Sequence, residues 1–202
     1  VRALATTDPA FPSADYSDSE WSAPVEIATT LEGGLQRATL FDETFDSITT
    51  SSTTGWNTSG AIQNTDEPDW TFASNAIRAP LGMRLGTAAN PGSATTREIA
   101  VYNNLASTTV TLSFLAASYT EKTTAGSVTV IDATTGTETE VVALDPDQMS
   151  NGLKEPLAGG TAYSETITVP ARFALRFESL ASASDKRLLL DSIKVTQVYD
   201  PN

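Results

Sequence analysis

Two carboxylates interrupt apolar stretches near the two ends of this 202-residue chain. Glu43 lies in residues 40–46 (LFDETFD), and Asp191 lies in residues 188–195 (LLLDSIKV). Side chains alternate between the two faces of a β-strand. Glu43 therefore shares a face with Phe41 and Phe45, and Asp191 shares one with Leu189, Ile193 and Val195. If these are core faces, both acids point inward, where a charge needs an ion partner, hydrogen bonds or a metal.

A cation would answer this need directly. Calcium takes six to eight oxygen ligands, which carboxylates, backbone carbonyls and water can supply. We expect Glu43 and Asp191, with Asp46 as a further candidate, to hold a structural calcium ion, because the first and last strands of a jelly roll commonly lie together. Two alternatives stay open: a β-bulge turns the side chains outward, or backbone N–H groups and an arginine satisfy them.

The composition excludes several kinds of chemistry. The chain has no histidine and no cysteine, which removes Ser-His-Asp triads, imidazole bases, thiol nucleophiles and Cys- or His-ligated zinc. Its net charge of −13 makes nucleic acid and anionic membranes unfavourable partners. No stretch is long and apolar enough to span a bilayer. We therefore expect neither nucleic-acid binding nor direct membrane contact.

Short apolar alternations separated by turns predict an all-β fold. Val110, Leu112 and Phe114 form one period-two set, and Phe173, Leu175 and Phe177 form another. We predict strands near 39–46, 77–85, 94–101, 107–118, 126–132, 138–144, 163–169, 172–179 and 187–198. About nine strands of this kind indicate a jelly-roll β-sandwich, here with an N-terminal β-hairpin remnant.

Residues 1–30 differ from the rest of the chain. The segment around Trp21-Ser22-Ala23-Pro24 resembles the last hairpin of a fibronectin type III repeat; the alternative is an ordinary hairpin of the main domain. We read 31–38 as a linker and 39–202 as the jelly-roll module. Because unpaired strand edges seek partners, we expect the hairpin to pack on the module or to join two molecules into a weak dimer.

The order of short motifs resembles a known group of modules. Phe41-Asp42-Glu43-Thr44-Phe45 comes first, Gly55-Trp56 and Asp69-Trp70 follow, and Leu190-Asp191-Ser192-Ile193 closes the module. This order is similar to the cleaved-adhesin and MAM-like jelly rolls of Bacteroidetes surface proteins. The resemblance implies a non-catalytic, extracellular or cell-surface module that binds glycans, host proteins or neighbouring domains. Ser192 departs from the second acid that is usual in the closing strand, which weakens a metal site that uses both.

Aromatic rings are the candidates for stacking on sugars. They are Trp56, Trp70, Tyr102, Tyr119 and Tyr163. We expect the ligand site to use Trp70 with Asp69, Tyr119 and Tyr163, near the long loops 47–70 and 145–163. The alternative for each ring is core packing, which we favour for Trp56.

A glycoside hydrolase is the enzyme class to consider, since it needs two carboxylates across a cleft. Asp145 and Asp147, or Asp66, Glu67 and Asp69, could be placed in those roles. The chain shows no paired-acid strand motif, so we expect no enzyme. The sequence thus predicts a glycan-binding or adhesion module, with a purely structural interaction module as the alternative.

Overall fold

The computed structural model describes residues 34–47, 62, 64–73, 75–79, 82–102, 106–119, 124–150, 160–180 and 186–202. Within these residues the chain forms twelve β-strands and no α-helix. They are β1 (Gln36–Glu43), β2 (Thr71–Phe72), β3 (Ala76–Ala79), β4 (Gly82–Leu85), β5 (Ser93–Thr95), β6 (Ile99–Ala100), β7 (Ser107–Ser118), β8 (Gly126–Asp132), β9 (Glu138–Leu144), β10 (Thr161–Pro170), β11 (Arg172–Ser179) and β12 (Leu188–Tyr199). In this part of the chain no helix could cross a membrane.

The strands form two antiparallel sheets of six. The first sheet has the order β10-β7-β12-β4-β3, and β1 also pairs with β12. The second has the order β2-β5-β11-β8-β9, and β6 also pairs with β11. The long β12 pairs with β4 over Leu188–Leu190 and with β1 over Ile193–Tyr199. The first and last strands of the module therefore lie side by side, as expected from the sequence.

One main hydrophobic core lies between the two sheets. The period-two sets of β7 and β11 are buried in it, and the rings of Phe114 and Phe177 meet edge to face across the sandwich at 5.6 Å. Burial of this apolar area is the dominant favourable term in folding. The all-β jelly-roll sandwich predicted from the sequence is confirmed.

The strand bounds agree best where alternation is long. The predicted bounds of β7, β8, β9 and β11 match the structure, and β12 is shifted by one residue. The segments predicted as single strands over 77–85 and 94–101 are each two short strands, and β2 was missed, because two to four residues carry little periodicity. β1 begins at Gln36, inside the segment read as a linker. The N-terminal hairpin and Trp56 lie outside the described residues.

Candidate functional site

The carboxylate of Glu43 is held by four N–H donors. The side chain is fully buried at the end of β1, next to the buried Phe45. Its Oε1 accepts the backbone N–H groups of Phe45 at 2.9 Å and Asp66 at 3.1 Å. Its Oε2 accepts the backbone N–H of Glu67 and the indole N–H of Trp70, both at 3.1 Å. Burial raises the pKa of Glu43, and these hydrogen bonds oppose the rise. Backbone and indole N–H groups thus satisfy Glu43, as in the hydrogen-bonding alternative to a calcium ion that the sequence left open.

The segment 64–70, which supplies three of these donors, also caps the edge of β1. The Asp66 carboxylate accepts the Thr44 N–H at 3.0 Å and the Thr44 hydroxyl at 2.5 Å, and the Thr44 hydroxyl is the largest cause of the lowered pKa of Asp66. Glu67 accepts the N–H of Asp42 at 3.0 Å. The N–H and C=O groups of an exposed strand edge can pair with another chain. Asp66 and Glu67 therefore protect the edge of β1 that does not pair with β12.

Arg97 fixes the other end of this arrangement. Its Nε donates to Glu67 at 2.8 Å, and its terminal nitrogens donate to the carbonyls of Leu40 at 3.2 Å and Glu98 at 3.0 Å. Its guanidinium also lies over the ring of Phe41, 5.5 Å from the centroid. Arg97, two residues before β6, therefore joins the 64–70 segment to β1.

Trp70, which the sequence placed in a ligand site, packs within this cluster. Its half-buried ring meets Phe41 edge-on at 5.5 Å and stacks on Phe72 at 5.7 Å. The indole therefore packs on two phenylalanine rings and also donates its N–H to Glu43. The neighbouring Asp69 is exposed and has a positive φ of 59°. A ligand role for these two residues stays a prediction.

Asp191 lies at a β-bulge. On β12, Asp191 pairs with Leu115 but Lys194 pairs with Ser113, so one extra residue is inserted; Ser192 has a φ of 53°. The expectation that Leu189, Asp191, Ile193 and Val195 share one face is therefore wrong. Ile193 and Val195 belong to the main core, whereas Leu189 packs with Ala117 and Tyr119 in a separate cluster. A bulge changes which residue parity faces the core.

The bulge leaves the Asp191 carboxylate half-buried, with its Oδ1 accepting the Ser192 N–H at 2.6 Å. Burial first, and then the negative charges of Asp46 and Glu43, raise the pKa of Asp191 to about 6, although the hydrogen bonds from Ser192 oppose the rise. Asp46 and Glu43, the other two acids predicted for the metal site, thus act electrostatically on Asp191.

The fit of calcium to these residues is limited. Among the described residues, no three acidic side chains form a group that could hold a metal ion, and both oxygens of Glu43 already accept N–H donors. A calcium ion near Asp191 and Asp46 would need backbone carbonyls and water for most of its ligands. The calcium site stays a prediction.

The two remaining predicted ligand residues lie in different surroundings. Tyr119 is 8% exposed, with the guanidinium of Arg187 over its ring at 3.8 Å. Tyr163, on the edge strand β10, stacks on Phe114 at 5.0 Å with an interplanar angle of 6°. Burial raises the pKa of the Tyr163 hydroxyl, and the charges of Asp145 and Glu165 add to the rise. A ligand role for either ring stays a prediction.

The structure instead exposes Tyr102, which the sequence considered and did not place in the site. The residue is 45% exposed, and its ring stacks on that of Tyr199 with a centroid distance of 4.6 Å and an interplanar angle of 12°. The side chain of Gln197, which is only 1% exposed, accepts the Tyr102 N–H at 2.8 Å and donates to its carbonyl at 3.3 Å. The Tyr199 hydroxyl donates to Gln36 at 3.0 Å. An exposed ring is therefore fixed by buried and stacked partners.

Tyr102 lines a groove of about 340 Å³ between β1 and β6. The groove is lined by Thr39, Leu40, Arg97, Ala100, Val101 and Tyr102. Its volume lies at the lower end of the range for small-ligand pockets. A larger cavity of about 460 Å³ beside the β8–β9 hairpin is lined by four threonines, Asp132 and several small or apolar residues, and the described part of its lining includes no aromatic ring.

No protein-family model matches the chain, and no curated protein matches it significantly. Solved structures share its fold. The K3 cleaved adhesin domain of Lys-gingipain from Porphyromonas gingivalis aligns with a TM-score of 0.50 and 14% identity, over 79% of this chain and 98% of that domain. This similarity confirms, at the level of the fold, the cleaved-adhesin-like jelly roll expected from the sequence.

Two carbohydrate-binding modules are more distant. The CBM22-1 xylan-binding domain from Paenibacillus barcinonensis aligns with a TM-score of 0.43 and 11% identity, over 82% of this chain and 97% of that one. A CBM35 from Cellvibrio japonicus aligns with a TM-score of 0.37 and 15% identity, over 77% and 96%.

Proposed function

We propose that this chain is a non-catalytic glycan-binding module of an extracellular or cell-surface protein. The observation that carries the proposal is the fixed, exposed Tyr102, which lines the groove between β1 and β6 and stacks on Tyr199. A tyrosine combines a broad apolar face with a polar tip, which suits the mixed apolar and hydroxyl surface of a sugar ring.

Rigidity is the property that makes Tyr102 suitable. Binding usually costs free energy to immobilise side chains and loops. At Tyr102 much of that cost is met in the free protein, because Gln197 holds both backbone polar groups and Tyr199 stacks on the ring. Because the exposed ring is already held in place before a ligand binds, it is suited to act as a contact surface.

The acids that an enzyme would need are engaged differently. A glycosidase requires one carboxylic acid with a raised pKa, but hydrogen bonds lower the pKa of Asp66, and Glu67 is ion-paired with Arg97. Asp145 accepts the N–H of Asp147 at 2.9 Å, the local turn geometry typical of aspartate. These contacts argue against catalytic roles for Asp66, Glu67 and Asp145, the loop acids that the sequence offered for catalysis.

Fold analogy adds a weaker argument. The gingipain neighbour is described as an adhesin domain, and a fold by itself does not determine function. The net charge of −13 suits a well-solvated protein that does not bind anionic polymers. Both points are compatible with an extracellular binding module.

A glycan array tests the proposal on three proteins: the unmodified chain, Tyr102→Ala and Val198→Ala. Val198 is the matched control, since it is 42% exposed on the same strand as Gln197. We expect binding to a subset of glycans, a loss of about tenfold or more in Tyr102→Ala, as for an aromatic contact residue, and no change in Val198→Ala. Absence of any glycan binding, together with capture of a protein partner that is insensitive to Tyr102→Ala, would favour an interaction module instead.

A further inference from the structure

We infer that the groove between β1 and β6 selects neutral sugars and rejects acidic ones, an inference that rests on the proposed glycan-binding function. Among the described residues that line the groove, one side chain is cationic, that of Arg97. Recognition of a sugar carboxylate or sulfate in proteins commonly uses an arginine that offers two parallel N–H donors. The inference therefore depends on whether Arg97 is available for such a contact.

Arg97 is committed to partners within the protein. Its Nε forms an ion pair with Glu67 at 2.8 Å, and each terminal nitrogen donates to a backbone carbonyl, of Leu40 or of Glu98. Only 29% of its side chain is exposed. An acidic sugar would have to compete with Glu67 for the guanidinium, and release of Arg97 would leave Glu67, itself 17% exposed, without its ion partner.

The wider electrostatic field acts in the same direction. The chain carries 25 acidic and 12 basic residues, so a polyanion approaches against a repulsive potential. Near the groove, the positive charge of Arg172 is also neutralised, because Arg172 forms a salt bridge with Glu98. The negatively polarised face of the Tyr102 ring also disfavours an anionic group placed over it.

A neutral sugar meets none of these costs. Its hydroxyl groups both donate and accept hydrogen bonds, and its C–H face can lie against an aromatic ring. Thr39, which lines the groove opposite the apolar residues Ala100 and Val101, offers a hydroxyl that both donates and accepts. The groove therefore supplies apolar contact and neutral hydrogen bonding, with its positive charge already neutralised.

Calorimetry with defined probes tests the inference. The probes are the hexasaccharides of xylose, glucose and mannose, together with hexagalacturonic acid and sialyllactose. We expect at least one neutral probe to bind about tenfold or more tightly than either acid, with an affinity that salt leaves unchanged because no charges are joined. Equal or tighter binding of an acid, or a steep loss of neutral binding with salt, would overturn the inference while the proposed function stands. Failure of every probe and of the glycan array would remove the proposed function itself.

A charge switch sharpens the test. Glu67→Gln removes the ion partner of Arg97 while keeping an oxygen acceptor, so affinity for hexagalacturonic acid should rise about tenfold and become salt-dependent. Thr39→Lys, at a half-buried position on the groove wall, adds a cation without touching the Glu67 contacts and should act in the same direction. If both variants fold, as judged by thermal melting, and neither gains acidic binding, charge does not determine the selectivity and the inference is wrong.

Discussion

The indole N–H of Trp70 donates to the fully buried carboxylate of Glu43 at 3.1 Å, across 27 positions of sequence. This bond joins the end of β1 to the segment 64–70. Because the same carboxylate accepts three backbone N–H groups, it is the centre on which the first strand and that segment are assembled.

Glu43→Gln should destabilise the fold by about 2–4 kcal/mol, because an amide replaces one acceptor oxygen by a donor and leaves buried N–H groups unpaired. Trp70→Phe keeps most of the ring packing and loses one donor, so we expect a loss of about 1–2 kcal/mol. Urea unfolding measures both. The double variant should lose less than the sum, because the two residues share one hydrogen bond.

The exposed Asp69 supplies the control for this cycle, since Asp69→Asn changes the charge of the same segment at a solvent-exposed side chain. It should leave the free energy of unfolding within about 0.5 kcal/mol of the unmodified chain. Strictly additive losses for Glu43→Gln and Trp70→Phe would contradict the central role of their bond.

Asp191 should make stability fall as pH rises. The pKa of this carboxyl is raised from 3.8 to about 6 in the folded protein, so the stability that its neutral form contributes is fully present below pH 3.8 and is lost as pH rises through about 6. In the presence of a chelator, Asp191→Asn should therefore gain about 1–2 kcal/mol over the unmodified chain at pH 7.5 and little near pH 4.

Asparagine at this position retains an Oδ1 acceptor for the Ser192 N–H, which the aspartate binds at 2.6 Å, so the bulge itself is preserved. Urea unfolding from pH 4 to pH 7.5 provides the measurement. A constant difference between the two proteins across that range would show that the charge of Asp191 is well solvated after all.

Calcium should stabilise the fold where the end of β1 lies beside β12, near Asp191 and Asp46. A divalent cation near Asp191 and Asp46 would offset the burial, and relieve the repulsion, that together raise the pKa of Asp191. We expect added calcium to raise the melting temperature by mass action, chelation to reverse it, and Asp191→Asn to remove the dependence. If neither calcium nor chelator changes the melting temperature, the N–H donors alone compensate the buried charge of Glu43.

The sequence predicted those parts of the fold that depend on local alternation. The buried sets of β7 and β11 follow from their period-two apolar patterns. The pairing of the first strand with the last was expected from the jelly-roll fold that those patterns indicate. The parity argument held for Glu43, which lies with Phe41 and Phe45 in the core. It failed at Asp191 because Ser192 adopts a positive φ without being glycine, and no local pattern marks such a bulge.

The candidate site was harder to predict because its contacts are long-range. Three of the four N–H groups that hold Glu43 come from residues 23, 24 and 27 positions away, and Gln197 reaches Tyr102 across 95 positions. A polar side chain within the apolar alternation of β12 was the available signal, since Gln197 falls where Ile193 and Val195 predict a buried residue. A buried side-chain amide needs hydrogen-bond partners, so the buried Gln197 indicates that polar backbone groups of another segment lie beside β12.

Gln197 should be a positioning residue for binding at Tyr102. Gln197→Met keeps the length of the side chain and removes both of its hydrogen bonds to the Tyr102 backbone. We expect the Tyr102 amide proton to exchange about tenfold faster, since its partner is lost, and glycan affinity to fall about tenfold because the ring must be ordered on binding. Tyr199→Phe, which loses the bond to Gln36 but keeps the stacked ring, should retain most of the affinity. A Gln197→Met variant that melts earlier yet binds glycans as tightly as the unmodified chain would show that Gln197 serves the fold alone.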